Sequence, residues 1–257
     1  MGKKIVVFDT ETTSIEKPFV YNIGYKIIDT ETNTCLVKHD FVVEQVWHNK
    51  ELFTTSYYAD KRQEYINRMR AKTCVMAKIG YITQTMCREF KFYQVESAYA
   101  YNSSFDDGVF EFNCEWFKVI NPFDNIPIFD IRGYAFKIIA FTNEYKYFCD
   151  THQLYTEKGN YSTTAESIYR IITNTPDFIE DHTALADSEI ESEILLYCIK
   201  RGCEYDKDYK LYRSVPKIAN NILRIKDTNG NIYEFEYNSL TDYKVKNNVK
   251  KIILKKR

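Results

Sequence analysis

The feature that most constrains the fold is an acidic pair placed directly after an apolar run near the start of the chain. Residues 5 to 8 are Ile, Val, Val and Phe, and they are followed by Asp9, Thr10 and Glu11. An uninterrupted apolar run of this length is typical of a strand that is buried on both faces. Because side chains alternate along a strand, we expect Asp9 and Glu11 to lie on the same face at its end.

Two carboxylates held together on one face require a positive partner, because they repel each other and lose hydration. A divalent cation with oxygen ligands, Mg²⁺ or Mn²⁺, would offset both costs. The same tetrapeptide, Asp-Thr-Glu-Thr, recurs at residues 29–32 between two predicted strands, 19–28 and 35–43. There it is typical of a solvated hairpin turn, so the position of the first copy, rather than its composition, carries the signal.

Length and composition exclude several classes of protein. The 257 residues allow one large domain with an appendage, and the formal net charge of -1 excludes a chain that is basic throughout, so any basic surface must be local. No apolar run is long enough for a membrane span and the N-terminus lacks a signal peptide, so we expect a cytoplasmic protein. The seven cysteines form no Cys-x-x-Cys pair, which favours reduced thiols over disulfides or a zinc site.

The rest of the pattern alternates strands with helices. We predict helical character over residues 56–92, a strand over 95–101 followed by an amphipathic helix, and a short buried strand over 126–131. A capping box, Thr163 with Glu166, predicts the start of another helix. Past residue 203 the character changes to a basic, β-rich segment with three predicted strands: residues 222–226, 231–237 and 249–254.

Acids also occur at the ends of two later elements. Asp106 ends the segment Asn-Ser-Ser-Phe-Asp, which follows the strand over 95–101, and Asp187 stands five residues after His182 where a helix begins. Asp107 is the alternative to Asp106, although the Phe-Asp spacing favours Asp106. Four carboxylates and a histidine are the groups that two-metal cleavage of a phosphodiester requires, with histidine suited to act as general base.

Taken together, the three motifs resemble those of the DEDDh family of 3′–5′ exonucleases, over residues 4 to 202. The resemblance implies that Asp9 bridges two divalent cations, Mg²⁺ or Mn²⁺, that Glu11 and Asp187 complete the water-activating site, and that Asp106 holds the second cation. It makes His182 the general base. The residues that the resemblance places on the substrate-binding side are Thr12 and Thr13 after the first motif, and Asn102 and Phe105 of the second.

We therefore predict an α/β, RNase H-like fold with a mixed five-stranded sheet flanked by helices. Residues 1–203 form the exonuclease domain and residues 204–257 a small basic appendage, which either holds a phosphate backbone or is simply a solvated face. The predicted activity is metal-dependent removal of nucleoside monophosphates from the 3′ end of single-stranded DNA. Two alternatives stay open: an exoribonuclease or oligoribonuclease acting on RNA or short oligonucleotides, and a non-catalytic nucleic-acid-binding module with the same fold.

Overall fold

A six-stranded mixed sheet organises the protein, as seen in a computed structural model that describes residues 2–54 and 59–217 and the backbone of residues 221–226 and 232–237. The strand order is β4-β3-β2-β1-β5-β6. Strands β1, β2 and β3 form an antiparallel meander, while β4 pairs with β3, β5 with β1 and β6 with β5 in parallel. The strands are β1 (Lys4–Thr12), β2 (Val20–Asp29), β3 (Thr34–Val43), β4 (Val75–Ala77), β5 (Val95–Ala100) and β6 (Ile128–Asp130).

Helices cover both faces of this sheet, so the predicted α/β, RNase H-like class is confirmed. The helices are α1 (Glu44–Trp47), α2 (Lys50–Thr54), α3 (Arg62–Arg70), α4 (Ile79–Tyr93), α5 (Ser103–Phe117), α6 (Ile131–Ala135), α7 (Asn143–His152), α8 (Ala165–Thr173) and α9 (Ala184–Ile199). A 3₁₀ turn at Ala59–Lys61 precedes α3, and a π-helical turn at Phe136–Ala140 continues α6. In the part of the chain that the structure describes, no helix is long and apolar enough to cross a membrane.

The sixth strand is the main difference from the predicted sheet. Residues 75–77 lie within the stretch that the sequence predicts to be helical, but they pair in parallel with Phe41 to Val43 at the edge of the sheet. Three residues are too few for a strand period to be recognised against the helical spacing on either side. The capping box is also wrong by one residue, because Thr164 rather than Thr163 accepts the hydrogen bond from the Ser167 N–H at the start of α8.

Strand β1 separates two hydrophobic cores. Val6 and Phe8 point into a core on one face, and Ile5 and Val7 point into a second core on the other; all four are fully buried. Each Å² of apolar surface buried on either face stabilises the strand by about 25 cal/mol. A slip of one residue would exchange the two faces and lose this stabilisation, so the register of the strand is fixed. The alternation therefore also decides on which face each residue after Phe8 lies.

The C-terminal part of the chain first packs against the domain. The sequence assigns residues 204–217 to the appendage, but they contact the preceding domain. Asp206 accepts a hydrogen bond from Tyr99, and Val215 is fully buried. Two of the three strands predicted beyond this segment are present as an antiparallel hairpin, β7 (Asn221–Lys226) and β8 (Ile232–Tyr237). The third, at residues 249–254, lies outside the described residues.

Candidate functional site

The acids of the first and third motifs meet where α9 crosses β1. Oxygen atoms of Asp9, Glu11 and Asp187 all lie within 4.8 Å of one another. Asp9 and Glu11 share the face of β1 that carries Ile5 and Val7, and α9 packs on that face. Asp187 lies in the first turn of α9 and points back to the strand. The alternation of β1 and the position of α9 thus bring the three carboxylates together.

The close approach of α9 to the sheet depends on two residues of β2. Gly24 pairs with Asp9 across the strands, and a Cβ atom added to it would overlap the backbone of Ala184 and Leu185. Asn22 is fully buried, and its Oδ1 accepts a hydrogen bond of 2.8 Å from the Ala184 N–H. These residues fix the N-terminus of α9, and with it Asp187, against β1.

The buried amide of Asn22 belongs to a polar network that reaches α3. Its Oδ1 also accepts a hydrogen bond from Tyr65, and its Nδ2 donates to Asp40 at 2.6 Å. Asp40 in turn pairs with Arg68 at 2.6 Å. Because each bond in this buried network satisfies a group that has lost water, the network holds α3 and the start of α9 in one arrangement.

Asp106 approaches the site from the opposite face of β1. It is 2% exposed and lies in the first turn of α5, and its Oδ1 accepts hydrogen bonds from the backbone and the hydroxyl of Thr10, at 3.1 and 2.6 Å. Burial and then the charge of Asp106 raise the pKa of Asp9, although Asp106 lies outside the group of three. Thr10 thus orients Asp106, a role that the sequence analysis did not assign to it.

Electrostatic strain is concentrated at these acids. Burial raises the pKa of Glu11 to about 8, of Asp187 to about 9 and of Asp106 to about 7. Burial, followed by the charges of neighbouring acids, also raises the pKa of Asp9 well above its usual range. Burial disfavours the charged form of each group. The carboxylates of this site are therefore more stable when they bind a proton or another cation than when they are ionised and unpaired.

A fifth carboxylate, Glu191, belongs to the same cluster. It is buried one helical turn after Asp187, and its Oε2 accepts a hydrogen bond of 3.0 Å from the Tyr101 N–H. Burial and the charge of Asp106 raise its pKa well above the usual range. Glu191 belongs to none of the three sequence motifs, although its spacing of four residues from Asp187 places both on one face of the helix.

His182 lies beside this cluster in a second group, with Glu166 and Glu180. Its Nδ1 is 3.6 Å from Glu180 Oε2, and its backbone has a φ of 47°. Burial and then the charge of Lys61 lower the pKa of His182. The sequence analysis also missed Lys61, whose side chain contacts the Asp181 carbonyl and whose charge lowers the pKa of Glu11.

The residues expected on the substrate-binding side occupy different environments. Thr13 is 3% exposed and its N–H donates to the Phe19 carbonyl, while Thr12 is half-buried after a bulge in β1. Asn102 is exposed with a φ of 65°, and Phe105 packs against one of the two cores. Of these, Asn102 lines a pocket that also contains Asp9 and Asp187. Thr12 ends β1, Thr13 follows it, and Phe105 lies in the first turn of α5.

The fold of this chain is similar to that of several solved nuclease structures. No family model and no curated protein matches the sequence. Among solved structures, one match is the nuclease domain of 3′hExo, which is described as a DEDDh family member bound to rAMP. The TM-score is 0.51 at 12% sequence identity, and the match covers 83% of this chain and 98% of that one. The chain has the fold of a DEDDh exonuclease. The fold predicted from the motifs is therefore confirmed.

Two further structures share this fold. A 3′-exonuclease that recognises the 3′ end of a histone mRNA stem-loop matches with a TM-score of 0.50 at 13% identity, covering 91% of this chain and 71% of that one. Exonuclease I in complex with an inhibitor matches with a TM-score of 0.51 at 13% identity, covering 76% of this chain and 41% of that one. At these identities the likeness establishes the fold, and the chemistry must be argued from the site.

Proposed function

We propose that this protein is a metal-dependent 3′–5′ exonuclease that releases nucleoside monophosphates from single-stranded DNA. The observation that carries the proposal is the meeting of Asp9, Glu11 and Asp187 within 4.8 Å, with Asp106 hydrogen-bonded to Thr10, the residue between the first two. These four acids come from three separate segments of the chain, and they meet in a fold that DEDDh exonucleases also have. A group of partly or fully buried carboxylates with raised pKa values is a recognised indication of a catalytic site.

The donor set fits two divalent cations. All four side chains offer hard carboxylate oxygens, which suit Mg²⁺ or Mn²⁺. Asp187 Oδ1 is buried and has no hydrogen-bond partner in the part of the chain that the structure describes, as expected of an atom that awaits a ligand. Asp9, Glu11 and Asp187 would hold one cation, and Asp9 with Asp106 the other. When bound, such a pair activates water and stabilises the leaving oxygen.

His182 is proposed as the general base. Because its pKa is lowered, the imidazole is neutral at neutral pH and can accept the proton of the attacking water. The nearby carboxylates of Glu166 and Glu180 would stabilise the imidazolium ion that this proton transfer creates. Thr12, Thr13 and Phe105 are proposed to contact the terminal nucleotide, and Asn102 to support the second motif.

RNA is the alternative substrate. The 3′-exonuclease with the same fold that recognises a histone mRNA stem-loop makes an exoribonuclease activity worth testing beside DNA. The non-catalytic binding module is the third possibility. Against it stands the presence of all five proposed catalytic groups, Asp9, Glu11, Asp106, His182 and Asp187, since a module that only binds would not need partly or fully buried acids that repel one another.

The test is a cleavage assay with single-stranded DNA and RNA of the same sequence, each labelled at either the 5′ or the 3′ end. We expect a 5′-labelled strand to give a ladder that shortens from its 3′ end with Mg²⁺ or Mn²⁺ and no products with EDTA. Asp9→Asn should abolish the ladder, whereas Asp107→Asn, an exposed acid beside Asp106, should leave it unchanged. Binding of both strands without cleavage of either would favour the binding module.

A further inference from the structure

A pocket of about 410 Å³ connects the acidic cluster to a wall of different chemistry. Part of its lining, the acidic wall, includes Asp9, Asp187 and Glu191. Another part, the donor wall, includes Arg132 and the hydroxyl-bearing residues 162–164, just before α8. The pocket therefore contains cationic and hydrogen-bond-donating side chains as well as proposed metal ligands.

Among the described residues, Arg132 in the donor wall forms no ion pair with an acid. Its Nη2 donates to Thr163 Oγ1 at 3.3 Å, and its Cζ lies 5.2 Å from the centre of the Phe136 ring. Its Nε is buried and, among the described residues, has no hydrogen-bond partner. Within the same residues, no carboxylate oxygen lies within 4.0 Å of its side-chain nitrogens, even though four acids line the pocket.

Neighbouring contacts fix the wall in place. The Asp130 carboxylate accepts hydrogen bonds from the backbone N–H groups of Arg132 and Asn102, at 2.8 and 3.0 Å. The Tyr101 hydroxyl donates to the Thr163 carbonyl at 2.7 Å. Because the Thr163 hydroxyl accepts its bond from Arg132, its own hydrogen is left to donate to a ligand. Arg132 and Thr163 thus form a donor pair whose position does not depend on a ligand.

An anion with several oxygens matches these donors. A guanidinium group recognises phosphate through its forked N–H groups, and a hydroxyl adds a further donor. In a nucleic-acid strand with a free 3′-hydroxyl, the linkage that is cleaved is the last one, so its only neighbouring phosphate lies on the 5′ side.

We propose that Arg132 and Thr163 bind the phosphate on the 5′ side of the linkage that is cleaved. This inference rests on the proposed function, since the acidic wall is taken to hold the cleaved linkage. The substrate unit is then one nucleoside with phosphates on both its 5′ and 3′ oxygens. A dinucleotide without a 5′-phosphate lacks the second phosphate and is a poor substrate.

The direct test measures binding of two small probes that contain no cleavable linkage, thymidine 3′,5′-bisphosphate and thymidine 3′-monophosphate. Calorimetric titrations use the full chain with Mg²⁺. We expect the 5′-phosphate to tighten binding to the wild type by about tenfold, the size expected of charge-assisted hydrogen bonds. Arg132→Gln should remove this gain and Arg132→Lys should keep part of it. The control Arg201→Gln, an exposed arginine stacked on Tyr197, should keep all of it.

A wild type that binds both probes equally, or an Arg132→Gln variant that keeps the tenfold gain, would overturn the proposal. Thermal unfolding of each variant identifies any loss of fold, and Arg132→Lys retains a cation if Gln is not tolerated. A second measurement compares hydrolysis of d(pTpT) with d(TpT), where the wild type should favour the 5′-phosphorylated dinucleotide and Arg132→Gln should not. If neither dinucleotide nor any longer strand is cleaved, the proposed function fails, while the binding ratio still decides the phosphate site.

Discussion

Asp187→Asn should stabilise the metal-free protein at alkaline pH. Asp187 is buried, and its pKa is raised from 3.8 to about 9, first by burial and then by the charges of Glu180 and Glu11. The folded protein therefore keeps this proton up to about pH 9, whereas the unfolded chain loses it near pH 4. Between these values unfolding releases one proton, so the free energy of unfolding decreases as the pH rises.

The size of the effect follows from the slope of one proton. Each pH unit in that window lowers the free energy of unfolding by about 1.4 kcal/mol, so the residue accounts for about 2.7 kcal/mol between pH 6 and pH 8. Asparagine cannot ionise and carries no such slope. Relative to the wild type, Asp187→Asn should therefore gain about 2 to 3 kcal/mol over this range, or about 5–10 °C in Tm.

The assay is urea and thermal unfolding in EDTA at pH 6, 7 and 8, with Asp107→Asn as the exposed control. The wild type and the control should lose stability in parallel, and Asp187→Asn should lose less. Adding Mg²⁺ at pH 8 should stabilise the wild type, because the cation binds the ionised acids and displaces their protons, and should do so far less in Asp187→Asn. Parallel pH profiles for the wild type and Asp187→Asn would refute the assignment of Asp187 to a strained acidic cluster.

Three further perturbations test how the site is built. Gly24→Ala should push the start of α9 away from β1, and we expect it to lower the free energy of unfolding by about 1–3 kcal/mol and the cleavage rate by about 10²-fold. The control is Gly108→Ala, where an added Cβ meets no atom within 4 Å. This variant should keep the wild-type stability and cleavage rate in the same melts and assays. Glu191→Gln should raise Tm in EDTA at pH 8, because the folded wild type holds a proton on Glu191 that the unfolded chain loses, and glutamine carries no such cost. The same substitution should weaken Mg²⁺ binding in calorimetry. An unchanged Tm would argue against a raised pKa of Glu191. Ending the chain after residue 203 should lower Tm, because it uncovers the surface against which residues 204–217, including buried Val215, pack. A truncated protein as stable as the full chain would contradict that packing.

The general base has its own prediction. His182→Ala should reduce the cleavage rate by about 10²–10⁴, the usual contribution of a positioned base, and should remove the lower limb of the pH–rate profile if that limb reports the imidazole. Metal binding, measured by calorimetry, should change little, since His182 lies outside the group of three acids. A variant with wild-type rates and an unchanged pH profile would assign the base to another residue.

The central strand could be predicted because several local signals agree there. The apolar run Ile5 to Phe8 gives burial on both faces, and alternation then places Asp9 and Glu11 together; the structure has both features. The antiparallel strands and the helix that carries Asp106 follow from equally regular patterns. The start of α9 was predictable from His182 and Asp187, because an acid in the first turn of a helix is favoured by the helix dipole.

Other parts of the site depend on contacts that no local pattern encodes. Thr10 is recognisable as a partner of Asp106 only when α5 is known to cross the opposite face of β1. Lys61 comes from a turn that lies beside the site only because α3 is tied to Asn22. Arg132 follows a three-residue strand, and its unpartnered Nε is a property of the folded pocket. Long-range packing positions all three, and spacing in one sequence does not report it.

The most direct test of the central claim is to locate Mn²⁺ by anomalous diffraction in crystals of the full chain. We expect two peaks about 3.5–4 Å apart, one against Asp9, Glu11 and Asp187 and the other between Asp9 and Asp106. In crystals of Asp187→Asn the first peak should be lost or much weakened. An empty acidic cluster at saturating Mn²⁺, or a single ion bound only at the group of His182, Glu166 and Glu180, would contradict a two-metal site at the end of β1.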